Sequence, residues 1–328
     1  MFRHASKYNS YACDFPVLAS HQDSHTSDRQ APGFLLRGVH NDDLVTEGNV
    51  FTMKRQIIAL LSTAVVAFTM SACGNTGSPS ATQNSGTSTA AAGGLTLQQV
   101  KDAGVLTIGT EGTYKPFSFH EGGTGPLTGY DVEIAKAIAG KLGVEPKFEE
   151  TQWDGIFAGL EAGRFDAIIN QVTVTPEREK KYLLSIPYTV STGVIVTKSD
   201  NTDINSIADL KGKKTAQSLT SNWYQMAKDA GANVEAVEGW AQAVTLLKQG
   251  RVDATINDKL TYLDSQKTKE DPNIKIAVET TEKSESAVAL RQGSDEVLKA
   301  VNTALEELRA DGTLAKISTK YFGADVTQ

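Results

Sequence analysis

VLTIGTEGTYKPFSFHEGGTGPLTGYDVEIAKAIAGKLG, residues 105–143, is the stretch that decides the fold. Val105 to Gly109 form a short apolar run ended by glycine, which suits a buried strand. Gly112 and Pro116 then interrupt any ladder or helix, so Tyr114 and Phe117 fall on a loop just past the carboxyl end of that strand. In open α/β sheets, ligands bind at that edge. After Gly129 the period changes: Val132, Ala135, Ile138, Ala139 and Leu142 mark one face of a helix. On pattern alone the two aromatics serve equally as core or as ligand wall.

An internal echo extends this unit. A shift of 87 residues carries Trp153 onto Trp240, Leu160 onto Leu247 and GRFDAIIN (163–170) onto GRVDATIN (250–257). Each copy reads as an amphipathic helix, a glycine stop and a short buried strand ending in Asn. Repeated helix–strand units predict two similar α/β lobes. Polar groups stand at the strand ends, Asn170-Gln171 in one copy and Asn257-Asp258 in the other. If the lobes face each other, these groups line a cleft. STGVIVTK (191–198) and SAVALR (286–291) are extended runs suited to carry the chain into the second lobe and back. Glu296 to Leu308 is helical by period, and KYFG closes the chain on the first lobe.

Composition narrows the function classes. The 328 residues allow two domains or one large bilobal one, and the net charge of −7 argues against nucleic acid as a partner. Both cysteines, Cys13 and Cys73, lie outside the candidate fold, so no disulfide framework is expected there. Four of the five histidines lie in the first 40 residues, which leaves His120 alone, with no metal cluster and no cofactor expected. The GG-x-G at 122–125 runs into Pro126 and is no dinucleotide fingerprint.

The N-terminal region divides into three expected parts. Residues 1–52 show no sustained period and read as disordered, or as translated from a start placed too far upstream. Residues 53–73 read as a signal peptide: Lys54 and Arg55 precede a 14-residue apolar run, Ile57 to Met70. Met70-Ser71-Ala72-Cys73 resembles a bacterial lipobox, whose cysteine is diacylated; Met70 departs from the usual leucine. Residues 74–94 carry no charge and no large apolar side chain, and read as a flexible tether with a reach of roughly 25 Å.

GYDVEIAKAIAGKL resembles the signature of the polar amino-acid family of extracytoplasmic solute-binding proteins, which serve ABC importers. The resemblance continues through TQWDGIFAGLEAGRFDAIINQVTVTPER, SIPYTVS, LKGKKTAQSLTSN, GRVDATINDKL and DGTLAKISTKYFG, and spans about residues 95 to 328. INQVT and QSLTSN look most like the cystine-binding members. The resemblance implies a type II periplasmic-binding-protein fold: lobe 1 from 95–192 and 287–328, lobe 2 from 193–286, joined by two extended hinge segments. It further implies a monomeric, lipid-anchored extracytoplasmic receptor that binds L-cystine and hands it to an ABC permease. Glutamine, histidine or arginine are alternative ligands. A cyclohexadienyl dehydratase on the same fold is a rival, although the residues show no catalytic constellation. A sensory domain is a third possibility, and would require fused signalling or membrane segments.

A buried amino acid needs partners for its carboxylate and its ammonium. Arg178 matches the family's carboxylate clamp, although PEREKK alone reads as a solvated helix start. Thr173 and the Gln171 carbonyl match groups that meet the ligand's backbone. Asp258 matches the ammonium partner and equally suits an N-cap for a helix starting at Lys259. Ser221 matches a carboxylate donor, in a loop where Leu219 replaces the family's glycine and leaves the path open; Gln217 is a further side-chain contact. Tyr114, Phe117 and Trp153 would wall the rest of the pocket, with Glu111 and Asn170 as polar contacts; Trp153 equally suits a core position. Glu111 is of interest because cystine carries a second ammonium that glutamine lacks.

Overall fold

The computed structural model describes residues 94–328. The expectations for the extension, the signal peptide, Cys73 and the tether up to residue 93 lie outside the described residues.

The chain enters through Leu95, whose N–H donates to Ser294 Oγ at 2.9 Å. Thr96 caps α1 (Leu97–Ala103) in a capping box with Gln99. Strand β1 (Val105–Thr110) follows, one residue longer than the apolar run. The loop after it is more regular than expected, because its Gly and Pro residues separate three short strands instead of abolishing them. These are β2 (Thr113–Tyr114), β3 (Ser118–His120) and β4 (Leu127–Thr128), which pair as a small antiparallel sheet. Helix α2 (Tyr130–Leu142) buries the expected apolar stripe and ends at Gly143, whose φ of 73° is the left-handed conformation of a helix stop. The first half continues through β5 (Glu145–Glu150), α3 (Trp153–Glu161), β6 (Ala167–Thr173), α4 (Pro176–Lys181) and β7 (Tyr182–Leu184).

Strand β8 (Thr189–Lys198) crosses to the second half, made of β9 (Lys214–Gln217), α5 (Asn222–Asp229), β10 (Asn233–Ala236), α6 (Trp240–Lys248), β11 (Ala254–Asp258) and α7 (Lys259–Thr268). Strand β12 (Ile274–Arg291) returns, and α8 (Asp295–Ala310) and α9 (Thr313–Phe322) pack on the first half. The main sheet runs β10-β9-β11-β8-β12-β6-β1-β5, with β7 also on β12. Thus β5, β1 and β6 are parallel in one half, as are β10, β9 and β11 in the other. Each half has its own apolar cores.

The return crossing differs from expectation. SAVALR is only the buried end of an 18-residue strand, whose middle, Glu279 to Glu285, is largely solvent-exposed and polar. An apolar run marks the buried end alone, so the polar middle gave no strand signal. The echo appears in full. Helices α3 and α6 start at Trp153 and Trp240, Gly163 and Gly250 have φ of 70° and 69°, and β6 and β11 start at Ala167 and Ala254.

Candidate functional site

Between the halves lies a cavity lined by residues of both, the kind of cleft between units in which small-molecule sites are usually found. Lobe 1 contributes Glu111, Tyr114, Trp153 and Gln171 to its wall; lobe 2 contributes the rest, including Gln217, Ser221, Trp223, Trp240 and Asn257.

Glu111 follows β1 directly. Its N–H and the hydroxyls of Thr110 and Ser118 all donate to Asn170 Oδ1, at 2.9, 2.9 and 3.0 Å. Asn170 Nδ2 donates in turn to Glu111 Oε2 at 2.7 Å. Asn170, expected as a pocket contact, is therefore fully buried behind the wall, with its amide committed to fixing Glu111. Burial raises the Glu111 carboxyl to about pH 7, against the opposing hydrogen bond from Asn170.

Phe117 also differs from expectation. The Asp131 N–H donates to its carbonyl at 2.9 Å, which tucks the residue beneath α2. Its ring is fully buried and backs Tyr114, with centroids 4.9 Å apart. Tyr114 itself reaches the cavity and spans the lobes: its hydroxyl donates to Asn257 Oδ1 at 3.0 Å and lies 3.1 Å from Thr261 Oγ1.

Gln171 is the only non-glycine described residue with positive φ, 52°, and sits where the β6–β12 register shifts. Such a bulge re-aims side chains next to sites. Its Nε2 donates to Asp131 Oδ1 at 2.7 Å and to Thr189 Oγ1 at 3.2 Å. Burial raises Asp131 to about 7.

Arg178 is no solvated helix start. It lies in α4 behind the Thr175 cap, 8% exposed, with its guanidinium 5.3 Å from the Trp153 ring and 5.2 Å from that of Phe157. Nη1 donates to the Thr173 carbonyl at 2.8 Å and Nη2 to the Thr220 carbonyl across the cleft at 3.3 Å. No carboxylate among the described residues lies within 4.0 Å of it. Burial lowers its pKa to about 10. Thr173 Oγ1 is 3.4 Å from Ser284 Oγ.

In lobe 2, Gln217 is 3% exposed and neither atom of its amide has a partner. Ser221 caps α5, accepting from the Tyr224 N–H at 3.0 Å and donating to the Ser218 carbonyl at 2.8 Å. Leu219 lies outside the left-handed region and is 49% exposed, so the loop accommodates leucine without strain. Asp258 serves as the N-cap of α7, accepting from the Leu260 N–H at 2.8 Å, and also accepts from the Ser191 hydroxyl on β8 at 2.7 Å. Burial raises it to about 6. Arg178, Thr173 and Asp258 stand just outside the cavity lining, Arg178 against Trp153 and Asp258 beside Asn257.

Two further contacts close the lobes on one another. Asp154 accepts from the Thr220 N–H and hydroxyl at 2.9 and 2.8 Å, and from the Leu219 N–H at 3.3 Å. Lys115 Nζ donates to Thr268 Oγ1 at 2.9 Å. Sequence reasoning missed Asp154, whose partner loop is 66 residues away. It also missed Trp240, which the echo of Trp153 could have supplied.

A two-lobed α/β protein whose halves enclose a cavity of mixed polar and aromatic lining, joined by two strands, has the type II periplasmic-binding-protein fold. Residues 106–324 match the model of the bacterial extracellular solute-binding proteins, family 3, and the chain belongs to that family. It is similar to the L-cystine-binding protein TcyA of Bacillus subtilis, 50% identical over 276 residues (84% of this chain, 100% of the relative). It is similar also to the L-cystine-binding protein TcyJ of Escherichia coli K12, 43% identical over 236 residues (71% and 88%). Among solved structures, an ancestral arginine-binding protein bound to arginine superposes with a TM-score of 0.63 and 41% identity, covering 67% of this chain and 99% of that one.

Asp154 ties lobe 1 to lobe 2 through these bonds. Removing three hydrogen bonds to an exposed carboxylate forfeits about 1–2 kcal/mol, which shifts an open–closed equilibrium by roughly five- to thirtyfold. Asp154→Ala is expected to open the ligand-free protein, read as a larger radius of gyration in small-angle scattering; an unchanged scattering curve would show that the contact does not govern closure.

Proposed function

We propose that this chain is the receptor of an amino-acid ABC importer, which closes on L-cystine and delivers it to the permease. The observation that carries this is Arg178: a buried guanidinium with carbonyl and aromatic neighbours but no counter-ion among the described residues calls for an anion from outside. A carboxylate pairs with guanidinium bidentately. In this proposal Arg178, Thr173 and Ser221 meet the ligand carboxylate, while Asp258 and the Gln171 carbonyl meet its ammonium. Trp153 and Tyr114 wall the sulfur-bearing middle. Glu111 faces the second ammonium, which favours cystine over glutamine or histidine.

The similarity to TcyA and TcyJ supports cystine. The arginine-bound ancestral relative supports arginine as the rival, since a ligand guanidinium would also answer Glu111. Those relatives are binding proteins by name, which favours binding over a dehydratase activity. The lipobox supports attachment to the membrane through Cys73.

The charge clamp is tested by Arg178→Met, expected to weaken ligand binding by about 2–5 kcal/mol because a buried carboxylate loses its partner. At about 1.4 kcal/mol per decade this is roughly 30-fold to several thousandfold. A change below about threefold with a native circular dichroism spectrum would refute the assignment.

Ligand identity is tested by redox chemistry, since reductant splits cystine into two cysteines, each with one ammonium and one carboxylate. Cystine is expected to raise the melting temperature, and dithiothreitol to abolish the shift while leaving that of arginine and glutamine unchanged. A shift that persists in reductant, or is larger with arginine, would reject cystine.

Attachment is tested by Cys73→Ser, expected to release the protein into the soluble or secreted fraction; undiminished membrane retention would argue against lipidation at that residue.

A further inference from the structure

Six buried side-chain polar atoms lack a hydrogen-bond partner among the described residues. Four of them belong to residues lining the cavity: Trp153 Nε1, Gln171 Oε1 and both amide atoms of Gln217. Proteins seldom leave buried donors and acceptors unpaired, and a buried amide without partners is strongly disfavoured. Gln171 and Trp153 belong to lobe 1, close to Arg178 and Asp131. Gln217 belongs to lobe 2 and ends β9.

Trp223 from α5, Val237, and Trp240 and Ala243 of α6 form the apolar part of the same lobe-2 wall, beside the hydroxyls of Ser218, Ser221 and Thr255. A carboxamide offers one acceptor oxygen and two donor hydrogens with no net charge. That matches a group that both donates and accepts, such as a zwitterionic amino-acid head, and does not match a hydrocarbon end. A site built to hydrogen-bond a ligand group discriminates strongly against analogues that lack it, because its own polar atoms are then stranded.

We propose that Gln217 is the specificity-determining residue for the far end of the ligand: its carboxamide receives a second polar head, and the aromatic chamber of lobe 2 is the subsite for that half. The head proximal to Arg178 and Asp258 is read by charge, and the distal head by Glu111 at its ammonium together with the neutral amide of Gln217, which line the same cavity. This rests on the receptor function proposed above and assigns the direction in which the ligand lies, from the Arg178 side into lobe 2.

The test is titration calorimetry of the full chain and its Gln217→Met variant with L-cystine and with S-methyl-L-cysteine, which keeps the proximal head and one sulfur but ends in a methyl group. Gln217→Met is expected to weaken cystine at least about tenfold while S-methyl-L-cysteine changes less than about threefold or binds more tightly, with the ligand-free melting temperature preserved. Equal weakening of both ligands, or undiminished cystine binding, would overturn the assignment. Should Gln217→Met fold poorly, Gln217→Leu makes the same comparison: it keeps a similar volume without donor or acceptor, and full retention of cystine affinity overturns the proposal equally. Failure of the unmodified protein to bind cystine would overturn the receptor proposal and this one together, whereas cystine binding that ignores residue 217 overturns this one alone.

Discussion

Strands β8 and β12 pair antiparallel from Lys198 and Ile274 at one end to Thr189 and Ser286 at the other, and both halves hang on that ladder. The second half is attached through β11 on β8, the first through β6 and β7 on β12. The ladder is interrupted twice, between Ile276 and Val278 and, more widely, between Glu279 and Lys283, opposite Thr192 to Val194. There Gly193 donates its N–H to Thr280 Oγ1 at 2.9 Å. Gly193 also packs tightly on the site: a Cβ there would lie 2.5 Å from Trp223 Cζ3. The cavity wall thus packs directly on the crossing backbone. Asp258 is tied to the same strand through Ser191. The cavity wall and the acidic residue are thus both fixed to β8, one of the two strands that join the halves.

Closure brings together groups that cost free energy when buried alone. Arg178 loses water and gains two carbonyls and two aromatic faces, neither of which neutralises it. The lobes are held by Asp154, Tyr114 and Lys115, all reaching from lobe 1 to lobe 2. Only a few hydrogen bonds therefore join the lobes across the cavity.

What the sequence made legible was local or repeated. The strand–loop–helix at 105–143 and the 87-residue echo are patterns within one stretch of chain, and the helices and strands fall where periodicity and glycine stops put them. What it left dark was set by contacts between distant residues. Asn170 looked like a ligand contact because a strand end exposes it, but Thr110, Glu111 and Ser118, 52 to 60 positions away, saturate its oxygen. Phe117 looked like a wall because its neighbours are loop residues, yet α2 and the chain end, through Tyr130 and Phe322, enclose it. Asp258 was open to two interpretations, and the structure shows it capping α7, which leaves one carboxylate able to orient both a helix and a ligand. The polar middle of β12 forms strand only because β8 lies beside it.

The carboxyls of the closed cleft complete the electrostatic account. Burial holds Glu111 and Asp131 at about 7 and Asp258 at about 6, above the ordinary range of about 4. The folded protein therefore binds protons at these groups more tightly than the unfolded chain does. Their contribution to stability is full below about pH 4 and is lost as pH rises through 6 to 7, where ionised oxygens must be kept out of water. A ligand ammonium reverses that sign, because it favours the ionised carboxylate and takes the place of the proton. Glu111, Asp131 and Asp258 thus stand as three buried carboxyls near one buried guanidinium, Arg178.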